Sequence, residues 1–500
     1  MKASQPIIPG FYPDPSICRA GDTYYVVNSS FEYLPGLPIH SSTDLTTWTT
    51  IGNALTRTGQ IAEHAGAASG GIYAPTIRHH GGKFWIVGTN VLELGLGLGH
   101  FIISADNPSG PWSDPVHVAG TIGIDPDLMW DDEGVCHLTW AAFSPDLRGI
   151  ASAPIDPLTG ALLSQPELLW QGTGLAHAEG PHLYQINGWW YLLLAEGGTE
   201  RGHTATIARA RSLDGPFEAA PGNPILTHRS TASSVQNVGH ADLIELVDGS
   251  WAAVHLGVRP RGQTPGFHVN GRETFLVGID WVDGWPVIDE GRFAVETADR
   301  SFTDRFDAAT LDQRWLGVGQ FPTSFTRPHS DSGLVIDADA GGVGRSMLAT
   351  RVPDIEWSAE TQFDATDGSG RFVLRIDDNH GYGLTYDGKA VEATLMIGQV
   401  VHAVGRVPMQ HGTVPTLRIA ARVPESGLHV GPDEPDLIEL AVIGDDGTKH
   451  NFGNFDGRYV STEVAGGFTG RVLGIEALAG QIVLRTVRYS TGAHAEREEC

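Results

Sequence analysis

The chain has 500 residues, 41% of them hydrophobic, with 32 Lys and Arg against 59 Asp and Glu and a formal net charge of −27. That charge excludes nucleic acid and disfavours anionic membrane surfaces, because their phosphates would be repelled, and no apolar run approaches the length of a membrane span. The length exceeds what one hydrophobic core fills, so two domains are expected, and 64 Gly and 30 Pro favour many turns over long helices.

Met1-Lys-Ala-Ser-Gln-Pro6 enters the first motif without the apolar stretch of a signal peptide, which gives a cytoplasmic expectation. Five motifs then recur about every 50–60 residues, a period that suggests radially repeated β-sheets. They are Tyr12-Pro-Asp-Pro-Ser-Ile17, Tyr73-Ala-Pro-Thr-Ile77, Ile124-Asp-Pro-Asp-Leu128, Ala178-Glu-Gly-Pro-His-Leu183 and Gly239-His-Ala-Asp-Leu243, with Asp14, Ala74, Asp125, Glu179 and His240 as equivalent markers. Each leads through a turn such as Ile186-Asn-Gly188 or Val247-Asp-Gly249 into an aromatic-rich second strand such as Trp189-Trp-Tyr-Leu-Leu-Leu194. Asn-Gly and Asp-Gly between apolar runs are strong hairpin signals. Third and fourth strands are expected as well, for example Ile39–Ser42 before Asp44–Trp48, and Phe101–Ser104 before Gly110–Trp112. Five units of four strands give a five-bladed β-propeller over residues 1–300, closing near Trp281–Pro286.

From about Ser301 the markers stop. Arg371–Ile376, Leu417–Arg422, Leu437–Val442 and Ile482–Val487 alternate apolar and polar residues, the period of an antiparallel β-sandwich, which is expected over residues 301–500. No long linker intervenes, so the two domains should pack together. Ala493–Cys500 reads as a solvated tail. Cys18, Cys136 and Cys500 are too few for a disulfide framework, and the first two read as buried and reduced.

A propeller points the start of every blade at one axis, so carboxylates remote in sequence meet there. One Asp beside Pro15 would ordinarily cap a turn. Three acidic markers in five repeats, which would repel one another in a shared pocket, point instead to chemistry at Asp14, Asp125 and Glu179. Two carboxyls across a pocket suit glycosidic hydrolysis: one, protonated, donates to the leaving oxygen, and the other, ionised, activates water or attacks carbon. A third nearby raises the acid's pKa by repulsion. Asp125 suits that role, although the local sequence does not rank it against Asp127. His240 stands where it could hold a metal or an ordered water. Arg272 could pair with a carboxylate or bond a sugar hydroxyl, and Phe31 and Tyr73 could wall a sugar ring.

Taken together, Gly10-Phe-Tyr-Pro-Asp-Pro-Ser16, Gly70-Gly-Ile-Tyr-Ala-Pro75, Glu179-Gly-Pro-His-Leu-Tyr184 and Gly271-Arg-Glu-Thr274 resemble family 43 glycoside hydrolases of the two-domain β-xylosidase and α-L-arabinofuranosidase branch. The resemblance implies an all-β protein, a propeller followed by a lectin-like (concanavalin-type) sandwich. By the same resemblance Asp14 is the general base, Glu179 the general acid and Asp125 the pKa modulator of an inverting reaction. It makes Arg272 a contact of the substrate and of the modulating carboxylate, and His240 a ligand of a cation or water. Phe31 becomes a wall of the sugar subsite, with Phe468 of Gly466-Gly-Phe-Thr-Gly470 the sandwich residue that closes the pocket.

Many relatives carry Trp where this chain has Tyr73, which tilts the expected activity from xylosidase towards arabinofuranosidase. The implied partner is an oligosaccharide, with exo action enforced by the sandwich. No cofactor is required, though a divalent cation such as Ca2+ near the axis and a homo-oligomer are both compatible with the pattern. The competing reading is a carbohydrate-binding protein on a catalytically silent propeller. A retaining fructosidase of the invertase type is disfavoured, because its nucleophile and acid motifs do not occur at the corresponding positions.

Overall fold

A computed structural model describes residues 5–97, 99–338, 345–410, 412–424 and 433–492. The tail from Ala493, with Cys500, lies outside them. Among the described residues the only α-helices are single turns at Pro322–Phe325 and Thr462–Ala465, and no helix is long and apolar enough to cross a membrane.

Residues 16–289 form five antiparallel sheets arranged as propeller blades, whose first strands are Ser16–Ala20, Ile72–His80, Gly123–Trp130, Glu179–Ile186 and Gln236–Glu245. The sequence fixes these hairpins locally: Asn187, with φ 52°, and Gly188 turn the first strand of blade 4 into Trp189–Glu196. Two expected fourth strands lie further on. Asp44–Trp48 is a turn in which Asp44 accepts the N–H groups of Thr46 and Thr47, and the outer strand is Thr49–Leu55. In blade 2 the outer strand is Val116–Val118 rather than Gly110–Trp112. The ring closes where the N-terminal segment bridges the last blade, Ile8 to Thr274.

The first strands share a defect that aims their markers. In blades 2 to 5 the pairing slips between Tyr73 and Thr76, Ile124 and Asp127, Glu179 and His182, and Gly239 and Asp242. Such bulges re-aim a side chain. The bulged residue takes positive φ at Ala74 (21°), Asp125 (57°), Gly180 (55°) and His240 (49°), and Asp14 in blade 1 matches them at 52°. The equivalent of Asp125 in blade 4 is therefore Gly180, not Glu179. Glu179 sits one residue earlier, level with Tyr73, and its carboxyl enters the centre from a different angle.

Two residues beyond each of these positive-φ positions lies a buried polar plug: Ser16, Thr76, Asp127, His182 and Asp242, one per blade. Arg78 ties it together, bonding Asp127 at 2.8 Å, Asp242 at 2.7 Å and His182 Nδ1 at 3.0 Å, while Ser16 and Tyr184 each donate to Asp242 at 2.6 Å. Asp127 is committed to this plug. A buried carboxylate pair with one shared guanidinium is tolerable because each of the four carboxylate oxygens finds at least one donor.

The C-terminal region is two antiparallel sheets joined by one strand, Val472–Thr491. Its first half pairs with Gly368–Arg375 and Arg345–Arg351, and its second half with Trp357–Asp364 and Leu334–Asp337. Between the sheets lies the largest core, including Trp357, Phe372, Leu384, Ile419, Leu440, Ile475 and Leu484. The propeller contributes a strand to this sandwich: Tyr33–Leu34 pairs with Leu316–Val318. A joint core of Phe11, Tyr33, Leu316, Val318, Met347 and Val472 packs around that seam. Arg351 crosses it, its guanidinium 4.5 Å from the Phe11 ring and 4.4 Å from Tyr12.

Candidate active site

Above the plug, the bulges bring Asp14, Asp125, Glu179 and His240 to the axis. Asp14 is 5% exposed, accepts from Ser29 Oγ at 2.6 Å, and receives Arg272 Nη1 at 2.8 Å. Ser29 Oγ in turn accepts the Ala74 N–H at 2.7 Å, so Asp14 is held from blades 1, 2 and 5 together. Burial would raise its carboxyl, but Arg272, His240 and the Ser29 hydroxyl outweigh burial and hold it below the usual carboxylate range.

Glu179 experiences the opposite balance. Among the described residues it makes no ion pair, and its carboxyl is pushed up to about 7 by burial first and the negative charge of Asp14 second, with Arg272 opposing. Asp125 accepts the Gly180 N–H at 2.9 Å, which pins the strand carrying Glu179. Its carboxyl lies well above the ordinary range, raised by burial, then by Glu179 and Asp14. The two interact strongly, so a proton on either favours ionisation of the other.

Arg272 pairs with a carboxylate as expected, but with a different one from that which the family resemblance implies. Its hydrogen bonds go to Asp14 and, at 3.1 Å, to Thr199 Oγ1, not to Asp125. It reaches across from blade 5 because Gly271, at φ 80°, lets the chain pass where a Cβ would lie 2.6 Å from Phe11 and 2.9 Å from Gly470. The aromatic residues gather beside it. Phe31 stacks on Phe468 with centroids 6.1 Å apart and interplanar angle 24°, and Tyr73 meets both edge-on at 5.2 and 5.8 Å. Arg272 Cζ lies 5.7 Å from the Phe31 ring and 5.3 Å from Phe468. The sandwich residue Phe468 thus stands in the same cluster as the propeller residues.

His240 Nδ1 is 3.8 Å from Asp14 Oδ1, and burial pushes its imidazole down to about 4, so the ring is neutral. A neutral imidazole could bind a metal, though not as one member of an all-protein cluster. Among the described residues no group of three or more His, Cys, Asp or Glu is arranged to hold an ion. Arg272 already neutralises Asp14, and the neighbouring His182, taking Arg78 N–H at Nδ1, has only an N–H donor left at Nε2.

Several contributors escaped the sequence reading. Ser29 and Thr199 lie in loops with no repeat to mark them. The plug residues could have been found, since Ser16, Thr76, Asp127 and His182 each follow the proline of a repeated motif and Asp242 stands at the matching place after Ala241.

The sequence profile of the family described as "Glycosyl hydrolases family 43" matches residues 3–286. A non-reducing end alpha-L-arabinofuranosidase of Bacteroides ovatus is 34% identical over 94% of this chain and 90% of its own length. A xylosidase/arabinosidase of Butyrivibrio fibrisolvens is 40% identical over 63% of this chain and 65% of its own. Among solved structures, a xylan beta-1,4-xylosidase from Bacillus halodurans superposes with a TM-score of 0.87 at 28% identity, covering 98% of this chain and 100% of that one.

Proposed function

Because the chain belongs to family 43 of the glycosyl hydrolases, we propose that it is an exo-acting, inverting glycosidase that releases terminal α-L-arabinofuranose or β-D-xylose from arabinoxylan- and xylan-derived oligosaccharides. The observation that carries the assignment of roles is the opposite bias of two carboxyls at one site: Asp14 held ionised by Arg272 and Ser29, Glu179 held protonated by burial and by Asp14.

In this reading Asp14 takes a proton from a water as its oxygen attacks the anomeric carbon. The bond from that carbon to the leaving oxygen breaks, and Glu179 delivers its proton to that oxygen. Asp125 positions Glu179 through the Gly180 N–H. Arg272 orients Asp14 and faces the sugar, which rests among Phe31, Tyr73 and Phe468. Phe468 enters from the sandwich side, which supports exo action by blocking a continuing chain. Tyr73 spends its hydroxyl on the Ser69 carbonyl at 2.6 Å, so it offers the sugar an apolar ring face.

Aryl α-L-arabinofuranoside and aryl β-D-xyloside are the direct test, with proton NMR of the first-formed anomer. Turnover of at least one, with inverted configuration, is expected. Glu179→Gln should lose about 10²–10⁴-fold on oligosaccharides and far less on aryl glycosides with good leaving groups, whereas Asp14→Asn should suppress both. Equal losses on both substrate types in Glu179→Gln would remove its role as acid.

A further inference from the structure

Glu32 follows Phe31 in the chain, is fully buried, and has no part in the reaction above. Its Oε2 accepts the Ser69 N–H at 2.9 Å, and Oε1 has no partner among the described residues. Ser69 uses its other polar groups on two walls of the site: its carbonyl accepts the Tyr73 hydroxyl at 2.6 Å, and its Oγ accepts the Phe468 N–H at 2.8 Å. Ser69 also holds φ 57° and is followed by Gly70 and Gly71, a backbone that would not keep one shape unaided. Glu32 itself is fixed, since its carbonyl accepts the Gly319 N–H at 2.8 Å where the propeller strand joins the sandwich.

We propose that Glu32 is a positioning residue which, through Ser69, sets Tyr73 and Phe468 against Phe31 and so fixes the width of the sugar pocket. The proposal rests on the glycosidase reading. The charged and titratable groups facing Glu32 are Arg375 and Asp378 of the sandwich and the hydroxyls of Tyr33 and Tyr73. Arg375 is already bonded to Asp378 at 2.8 Å and does not neutralise Glu32. Burial therefore keeps Glu32 a neutral acid up to about pH 8, with its own backbone N–H, Arg375 and the Ser69 N–H opposing. A neutral acid can be copied by glutamine.

The test is steady-state kinetics on the two aryl glycosides at about pH 6, with thermal midpoints, for wild type, Glu32→Ala, Glu32→Gln, Ser69→Ala and the Ala/Ala double variant. Because the walls hold the sugar in ground and transition states alike, Glu32→Ala should raise KM about tenfold with kcat little changed. Glu32→Gln should return KM to within about twofold of wild type, and the double variant should be no worse than the poorer single one. An unchanged KM in folded Glu32→Ala, a loss confined to kcat, or a Gln variant as poor as Ala would overturn the proposal. If Glu32→Ala does not fold, Glu32→Asp decides: its carboxyl, one methylene shorter, falls short of the Ser69 N–H that Glu32 holds at 2.9 Å, so KM should rise several-fold with kcat little changed, and an unchanged KM overturns the proposal. A folded wild type that turns over neither substrate would defeat the glycosidase reading itself, a result distinct from any of these.

Discussion

Two carboxyls of the same chemistry are driven apart by what surrounds them. Glu179 must carry a proton to act. Its carboxyl is raised to about 7 by burial and Asp14, so kcat/KM should be full below that pH and fall as pH rises through it. Asp14 must be ionised and is held below the usual range, so the acid-side loss should begin only at a pH below that of an ordinary carboxylate. A pH–rate profile on one aryl glycoside checks both limbs, and an alkaline limb near pH 4–5 would contradict the Glu179 environment. Arg78 allows a second test at this scale. Removing its guanidinium in Arg78→Met strands Asp127 and Asp242 as buried anions, which should cost about 3–5 kcal/mol in denaturant unfolding. Asp14, Asp125 and Glu179 were legible as a set because acidic residues recurred at repeated positions. That Arg272 grips Asp14 rather than Asp125 was not, because a side chain's partner depends on the angle at which its blade meets the axis.

The bulge in the first strand of blades 2 to 5 decides where a marker points. Counting motifs in the sequence aligned Glu179 with Asp125. The hydrogen-bond register puts Gly180 there instead, because only the paired strand reveals which residue is extruded. Gly180 is held at φ 55°, and a Cβ on it would lie 3.1 Å from the His240 ring. Gly180→Ala should therefore destabilise by about 1–3 kcal/mol and lower kcat by displacing Glu179, whereas Ala at Gly188, with open space around its Cβ, should leave kcat intact. Thermal midpoints and kcat for the two variants make the comparison. The outer strands were misplaced in blades 1 and 2 because short edge strands carry little alternation. Asp44, read as part of a strand, instead bonds the backbone ahead of it to make a turn.

At the scale of the molecule, propeller and sandwich share a strand pairing and a core. Heating should therefore give one cooperative calorimetric transition; two separated peaks would show that the seam at Tyr33–Leu34 couples them weakly. Period-two alternation in the sequence was enough to expect a sandwich after residue 301. It did not show that one strand, Val472–Thr491, belongs to both sheets, since a bend between two pairings leaves the alternation on either side intact.

The borrowed strand has an evolutionary consequence. A domain that needs two residues from its neighbour to finish a sheet, and lends that neighbour an aromatic ring in return, is not a cassette. Recombination that exchanged this C-terminal half for another carbohydrate module would leave a ragged sheet edge on one product and an unwalled pocket on the other. Inheritance of the two halves as a unit, with specificity drifting through substitutions on both sides of the joint, is the course this architecture leaves open.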